Sequence, residues 1–333
     1  MHRTKNKERA IVLTEQLWTK LLTQHKKCQD LSKIKADHSV RGLLLEYIDA
    51  ISSILFPDII AKNFPELTEY MVTVKGYRTI DGILYEIYGN ELMLISCPPG
   101  KQGTYVIPEG EGISQIGPFA FYSTKISDIV LPTSLRLIEG AAFYGCNNLK
   151  DVHIPAEVTY IGGSQNWCNP FVACQSLQSI TVDKGNAFCY STEDGLLYQS
   201  SGRLLCCPGG KTGAIQLPET CYAVGEFAFE GANISKVILP KDFDYIGRYA
   251  FRNCKQLTAI EIPASEKEFG DHVFYGCSNL KDVYFHVSDF DLNIENGPPF
   301  QGCSQDLCIH AKRGGNLARF AKENGFRFCE LAE

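Results

Sequence analysis

The sequence predicts a repeat solenoid of the α/β class, in which short parallel strands stack on one another along a coil. Three observations predict it: a Phe-centred motif recurs along the chain, a strand-like stretch ending in Pro follows most copies, and a longer block is present twice. The steps between successive motif Phe residues are 22, 28, 58, 22, 23 and 26. One such unit cannot bury its own apolar face, so neighbouring units have to stack and share a continuous core.

Each copy of the motif carries an aromatic residue followed three positions later by a small one. The aromatic residues are Phe121, Phe143, Phe171, Phe229, Phe251, Phe274 and Phe300. The small residue is Cys in five copies, namely Cys146, Cys174, Cys254, Cys277 and Cys303. We expect the ring and the thiol to point into the core, because free Cys behaves as a small buried hydrophobe. This arrangement favours unbridged thiols over a disulfide framework for most of the 14 Cys.

The stretch that follows each motif alternates as a half-buried strand does. In the unit after Cys146, Val152 and Ile154 point to one side, and Asp151 and His153 to the other. Pro155 ends the strand, because it cannot donate the next ladder hydrogen bond. The unit therefore predicts a strand with one buried and one outward row.

The order Gly, Ala-Phe, Cys, Leu, Pro resembles the BspA-like leucine-rich repeats from roughly Gly117 to Cys303. The spacing also lies in the leucine-rich-repeat length class. The resemblance implies a right-handed coil of bacterial or protist type, used for adhesion or protein binding. Two units depart from the pattern: one carries an insertion, Gly163 to Asn169, and the unit at Phe300 lacks a clear strand.

The longer repeat begins with a predicted β-hairpin. Asp81–Tyr85 matches Asp194–Tyr198, and Cys97–Lys101 matches Cys207–Lys211. Turn residues at Gly89-Asn90 and at Ser201-Gly202 separate two strand-like runs in each copy. We therefore expect β-hairpin insertions near residues 81–110 and 187–218, each projecting between repeats as the product of a tandem duplication.

The two ends differ from the repeats. Apolar residues at helical spacing predict helices at 9–27 and 40–56, so residues 1–75 are expected to form a small helical N-terminal region that caps the solenoid. The repeats span 76–303. Residues 304–333 are expected to form a C-terminal cap with a helix from Leu317 to Lys322 and a last strand around Phe328.

None of the motifs that resemble a metal-binding, phosphate-binding or catalytic site meets the requirements of such a site. The motif Cys residues occur one per repeat rather than as the close pairs typical of zinc sites. Gly210-Lys211-Thr212 ends like a phosphate-binding loop, but the Gly required five residues earlier is Leu205. The seven His are scattered. We expect no catalysis, no metal and no cofactor.

Binding is the predicted function, because outward side chains of stacked strands form one continuous face. Its residues are Asp128, Val130, Asp151, His153, Ser179, Thr181, Lys236, Ile238, Ala259, Glu261, Asp282 and Tyr284. A protein partner is expected, since a net charge of -6 argues against nucleic acid. The alternatives are a solvated face without a partner, a cell-surface adhesin domain, and an enzyme with its site in the N-terminal region.

The expected location depends on whether the chain is complete. The sequence has neither the pattern of a secretory signal nor an apolar run of the ~18 residues that a membrane span needs. A complete chain is expected in the cytoplasm, and a processed fragment at the cell surface or secreted.

Overall fold

The repeats lie in the second of two compact units, Met1–Thr79 and Ile80–Glu333. The computed structural model describes residues 77–98, 100–162, 169–264, 268–290, 292 and 297–331. The predicted helices at 9–27 and 40–56 lie outside the described residues, and the helical N-terminal region stays a prediction.

The described residues form a β-solenoid of about 10 turns with almost no helix. In chain order the strands are β1 (Tyr77–Ile80), β2 (Ile83–Tyr88), β3 (Glu91–Ser96), β4 (Gln102–Val106), β5 (Ile113–Ile116), β6 (Lys125–Val130), β7 (Leu137–Ile138), β8 (Asp151–Ile154), β9 (Tyr160–Ile161), β10 (Ser179–Val182), β11 (Cys189–Ser191), β12 (Leu197–Gln199), β13 (Arg203–Cys206), β14 (Thr212–Gln216), β15 (Ala223–Val224), β16 (Asn233–Ile238), β17 (Tyr245–Ile246), β18 (Ala259–Ile262), β19 (Glu268–Phe269), β20 (Asp282–Phe285), β21 (Cys308–Ala311) and β22 (Arg327–Glu330). The predicted solenoid of short parallel strands is confirmed. Helix is confined, in the described residues, to α1 (Asn316–Glu323), so this part is a β-solenoid rather than an α/β one.

Each duplicated block contributes two sheets. In the first block the strand orders are β1-β2-β3-β5-β7-β9 and β10-β8-β6-β4. In the second block they are β11-β12-β13-β15-β17-β19 and β14-β16-β18-β20-β21-β22. Strands from successive turns pair in parallel, as β6 with β8 and β18 with β20. In each block one sheet contains very short strands, such as β7 and β9, and lines one side of the coil. The other sheet contains the longer strands that the sequence predicts, such as β6 and β8, and lines another side.

The two predicted hairpins are confirmed, but they do not project from the coil. Strands β2 and β3 pair antiparallel around the turn at Gly89-Asn90, and β12 and β13 pair antiparallel around Ser201-Gly202. Strand β3 then pairs in parallel with β5, and β13 with β15. Each hairpin is therefore the starting edge from which a sheet of its block grows.

Turns, not helices, carry the Ala-Phe-x-x-Cys segments. The residue two before the motif Phe has a positive φ in most turns, as at Ala141 (60°) and Tyr249 (55°). The residue two after it does the same, as at Gly145 (70°) and Asn253 (58°). Left-handed residues cannot continue a right-handed helix, so the segment folds back toward the next strand. This explains why helix is scarce.

The motif Phe rings stack along the core as predicted. Ring centroids of Phe121, Phe143 and Phe171 are 4.9 and 5.2 Å apart in the first block. In the second block the spacings are 4.8, 5.3 and 5.5 Å, along Phe229, Phe251, Phe274 and Phe300. These rings are at most 2% exposed.

Each motif Cys makes the same contact with the turn before it. The thiol of Cys146 donates to the carbonyl oxygen of Phe121 at 2.9 Å, and that of Cys254 donates to Phe229 at 3.0 Å. Cys174, Cys277 and Cys303 repeat this contact. A small apolar group with a weak donor suits the position, because the carbonyl is buried.

The hairpin β12–β13 separates two hydrophobic cores. Leu205 and Cys206 pack with the first core, whereas Leu204 and Cys207 pack with the second. The adjacent Cys206 and Cys207 therefore pack on opposite sides of the hairpin, with Cys206 at the end of β13 and Cys207 one residue after it. The hairpin is buried on both faces and acts as a wall between the blocks.

The C-terminal segment contains the expected short helix, α1, followed by β22, which pairs in parallel with β21. Cys308 and Cys329 form a disulfide between these two strands, whereas the motif cysteines are unbridged as the sequence predicts. The other described cysteines are free, and all except the partly exposed Cys303 are buried. The bridge lies outside the repeated motif, so the repeat pattern gave no sign of it.

Candidate interaction face

The outward rows lie on two sheets rather than on one continuous sheet, which corrects the sequence prediction. Asp128, Val130, Asp151, His153, Ser179 and Thr181 lie on β6, β8 and β10, and we call this surface the first face. Lys236, Ile238, Ala259, Glu261, Asp282 and Tyr284 lie on β16, β18 and β20, the second face. The sheet breaks after β10, because the backbone N–H of Ile180 donates to Gly195 of the second hairpin segment and not to β14.

The alternation predicted for these strands holds. Eight of the twelve residues are exposed, and Ser179, Ala259, Asp282 and Tyr284 are half-buried. Their inward neighbours are buried, as at Val152 (2% exposed). Both faces are therefore accessible from solvent.

The first face is acidic and partly apolar. Asp128 lies directly opposite Asp151 in the register of β6 and β8. Two hydroxyl groups stabilise the carboxylate of Asp128: Ser127 donates to it at 2.7 Å and Thr104 does so at 3.4 Å. Beside them Val130 stays 50% exposed. The face therefore offers carboxylates next to an uncovered aliphatic side chain.

His153 links the outer end of the first face. Its Nδ1 lies 3.0 Å from Oγ1 of Thr181, and its Nε2 lies 3.1 Å from Oδ1 of Asp183. The other carboxylate oxygen of Asp183 accepts from the backbone N–H of Ala156 at 3.2 Å. These contacts hold three outward side chains in fixed positions.

The second face contains a groove of about 610 Å³ where β16, β18 and β20 end. Of the predicted residues, Lys236, Ile238 and Glu261 line it. The remaining lining residues are Val237, Leu239, Pro240, Lys241, Asp242, Pro263, Ala264 and His286. The lining combines aliphatic groups with both signs of charge, as protein interfaces do.

An aromatic cluster flanks this groove on the second face. The ring of Tyr284 stacks on His310 with centroids 4.1 Å apart, and Nε2 of His310 lies 2.8 Å from Oδ1 of Asp282. Nearby, His286 lies 3.8 Å from the carboxylate of Glu261. Tyr and His present flat, partly exposed surfaces that lose little entropy on binding.

Sequence reasoning missed several residues of the two faces. Lys241, Asp242 and His286 follow the ends of strands, where the alternation of inward and outward residues no longer applies directly. Asp183, one residue after β10, was missed in the same way. Extending the outward row by two positions finds Asp183 and His286, whereas the groove itself depends on how the Pro-terminated loops stack.

Buried thiols of the core are poor candidates for chemistry. Burial raises the pKa of Cys97 to about 12, that of Cys189 to about 12 and that of Cys221 to about 11. The thiolate is the nucleophile and the metal ligand, and these groups stay protonated near neutral pH. Their arrangement is structural.

No helix within the part of the chain that the structure describes has the length and hydrophobicity needed to cross a membrane.

Comparison with known proteins supports the repeat assignment. Six copies of the family model "BspA type Leucine rich repeat region" match residues 105–193 and 209–305. The chain is similar to a leucine-rich repeat protein from Eubacterium ventriosum, with a TM-score of 0.53 and 23% identity over 62% of this chain and 53% of that chain. The chain thus spans about half the length of that protein, and this likeness shows the fold alone.

Two further solved structures match over most of this chain. The pneumococcal vaccine antigen PcpA has a TM-score of 0.47 and 15% identity, covering 78% of this chain and 100% of that chain. A leucine rich cell surface protein from Faecalibacterium prausnitzii has a TM-score of 0.44 and 15% identity, covering 73% and 96%. A search of curated proteins finds no match.

Proposed function

The chain belongs to the BspA-type leucine-rich repeat family, and from this premise we propose that it is a non-enzymatic module that binds a protein through its two strand faces. The family suggests a protein–protein interaction or surface role. The observation that carries the finer proposal is the groove of about 610 Å³ on the second face, lined by three of the predicted residues.

The composition of the groove supports a polypeptide as its occupant. Ile238 is 39% exposed there, beside Leu239 and Pro240. Lys236 and Lys241 lie on the same rim as Asp242 and Glu261. An uncovered aliphatic centre with charged groups of both signs around it matches the anatomy of transient protein interfaces.

The first face is proposed as a second contact area of the same partner or of a like one. Its acidic pair, Asp128 and Asp151, is suited to steer a basic surface toward it, because complementary charge acts mainly on the rate of encounter. The proposed arrangement also keeps residues 1–75 and 304–333 as caps of the repeats that span 76–303.

An adhesin domain is the second candidate, and it differs from the first only in where the partner is found. Family membership favours it as a surface role. The same faces serve both functions, so the location of the chain in its native cell separates them.

Partner capture with photo-crosslinking tests the proposal. A crosslinking amino acid at Ile238 should form a covalent adduct with the partner in native cells, whereas one at Tyr222 should not. Tyr222 is the matched control, because it is 38% exposed but lies outside both faces, between β14 and β15. Equal labelling at the two sites rejects the groove.

Charge reversal then tests each face separately. Asp151→Arg and Glu261→Arg, alone and together, should weaken capture without lowering the melting temperature, because both side chains are exposed. The control is Glu219→Arg with Glu323→Arg, which makes the same charge change away from the strand faces. If the double variant on the faces captures the partner as well as the control does, the proposal is wrong.

A further inference from the structure

Three metal-ligating side chains meet at the C-terminal end of the second face. Cys308 and His310 are two residues apart on β21 and so share a face of the strand. Cys329 on β22 lies directly opposite His310 in the register. The candidate ligand atoms of these three residues all lie within 4.8 Å of one another.

The imidazole among them is held in place from two sides. Asp282, on the neighbouring strand β20, lies opposite Cys308 and accepts a hydrogen bond from Nε2 of His310 at 2.8 Å. The ring of Tyr284 covers one face of the same imidazole. A carboxylate that fixes the orientation of a histidine is the usual outer support of a zinc ligand, and it leaves Nδ1 free to bind.

We infer that Cys308, His310 and Cys329 form a zinc site in the reduced protein, with Asp282 orienting the histidine and a water molecule as the fourth ligand. Two thiolates and one imidazole form a donor set that zinc prefers. Zinc–ligand bonds of about 2.0 to 2.3 Å require neighbouring ligand atoms about 3.3 to 3.8 Å apart. The observed separations, all within 4.8 Å, place the three ligand atoms in one cluster of about this size.

Zinc binding and the Cys308–Cys329 disulfide exclude each other, because both use the same two sulfur atoms. A dithiol reductant opens the Cys308–Cys329 bond, giving two protein thiols and the cyclic disulfide of the reductant. Zinc binding then replaces the two thiol protons, which are released to solvent. Bound zinc protects the thiols from reoxidation, so oxidation state and metal content are linked at this end of the sheet.

The inference goes beyond the proposed function and does not depend on it. Sequence rules missed the site because they look for two cysteines a few residues apart, whereas this set joins Cys308-x-His310 to a cysteine 21 positions after Cys308. Parallel pairing of β21 with β22 brings the three ligands together.

Metal titration of the full chain tests the site. The protein is treated with a dithiol, freed of the reductant without oxygen, and titrated with Zn²⁺ against a chromophoric competitor and with Co²⁺ alone. We expect one tight equivalent of zinc in the reduced protein, none in the oxidised protein, and a thiolate-to-cobalt charge-transfer band with tetrahedral cobalt absorption.

Variants assign the ligands. Cys329→Ser should abolish tight binding and the charge-transfer band; Cys329 is half-buried on the last described strand, so this change is mild for folding. Asp282→Asn should weaken zinc binding about 10- to 100-fold while keeping the band. His153→Gln is the matched control, since His153 also contacts a carboxylate on an outer row but has no cysteine beside it among the described residues.

Three results would each overturn the inference. One is a reduced, folded protein that takes up no zinc in competition. Another is a Cys329→Ser protein that binds zinc as the wild type does, and the third is a disulfide that opens only when the chain unfolds. Circular dichroism of each variant shows that it is folded.

Discussion

The two duplicated blocks have cores that are packed in the same way but differ in the hydrogen bonding of their buried polar groups. In the first block (β1–β10) the buried hydroxyl of Tyr85 lies 3.3 Å from that of Tyr105. In the second block (β11–β22) the equivalent residues are Tyr198 and Ile215, and the hydroxyl of Tyr198 is buried with no hydrogen-bond partner among the described residues. The comparison indicates that this core position requires the shape of the tyrosine ring more than a hydrogen bond to its hydroxyl group.

The outer faces diverge further than the cores do. The motif Phe rings stack at nearly the same spacing in both blocks. On the strands outside them, the first block places Asp128 opposite Asp151, whereas the second places Lys236 opposite Ala259. Because the stack sets the inward residues only, the outward residues are free to suit a partner.

Truncation of one stacked ring should give the largest effect, and the same effect in both blocks. Phe143→Ala and Phe251→Ala each empty a site that is 0% exposed and lies between two other rings. We expect each to lower the free energy of unfolding by about 3 to 5 kcal/mol. Urea denaturation followed by circular dichroism measures it.

The control for both is Tyr122→Ala. Tyr122 is 37% exposed beside Phe121 and should cost much less. Hydrogen exchange should show that each Phe substitution loosens its own block more than the other. A loss below about 0.5 kcal/mol in either block, as for a surface residue, would contradict the packing.

Removal of the tyrosine hydroxyls should distinguish the blocks. Tyr85→Phe leaves the hydroxyl of Tyr105, which is 4% exposed, without its partner, and should cost about 1 to 3 kcal/mol. Tyr198→Phe removes a buried hydroxyl that has no partner in the described residues, so it should be neutral or stabilising. Equal destabilisation by the two substitutions in urea titrations would show that the hydroxyls are equivalent after all.

Alkaline pH should destabilise the two blocks alike. Burial raises the pKa of Cys97 to about 12 and also raises that of its counterpart Cys207. Thiols in the unfolded chain ionise at about pH 8.5, whereas these two thiols stay protonated in the folded protein at that pH. Their contribution to stability is therefore complete below about pH 8.5 and is lost as the pH rises toward the folded pKa. Each thiol should account for about 1 to 2 kcal/mol between about pH 8 and pH 10.

Cys97→Ala and Cys207→Ala should each flatten this pH dependence by a similar amount. Urea midpoints measured across the pH range give the slope for each protein. A slope that neither substitution changes would assign the alkaline loss to other groups.

The sequence predicts those features that recur in each turn. The inward Phe and Cys, the strand alternation at Asp151–Ile154 and the hairpin turns at Gly89-Asn90 and Ser201-Gly202 follow from spacing alone. Periodicity reports the local environment of a residue, and that environment repeats.

Features that occur once could not be predicted in the same way. The break between β10 and β14 depends on the contact of Ile180 with Gly195, and the Cys308–Cys329 bridge depends on the pairing of β21 with β22. The groove at Ile238 depends on how loops of three turns stack. Each is a long-range contact, and no local pattern encodes it. The use of the twelve outward residues for binding stays a prediction.

The wall formed by β12 and β13 bears on how such a chain can grow. Because the hairpin is apolar on both sides, one side covers the end of the first core and the other side forms the start of the second core. Duplication of a whole block therefore adds turns to the solenoid without leaving an uncovered apolar surface between the blocks. Length becomes a property that gene duplication can adjust, while the surface of each new segment is left to acquire its own specificity.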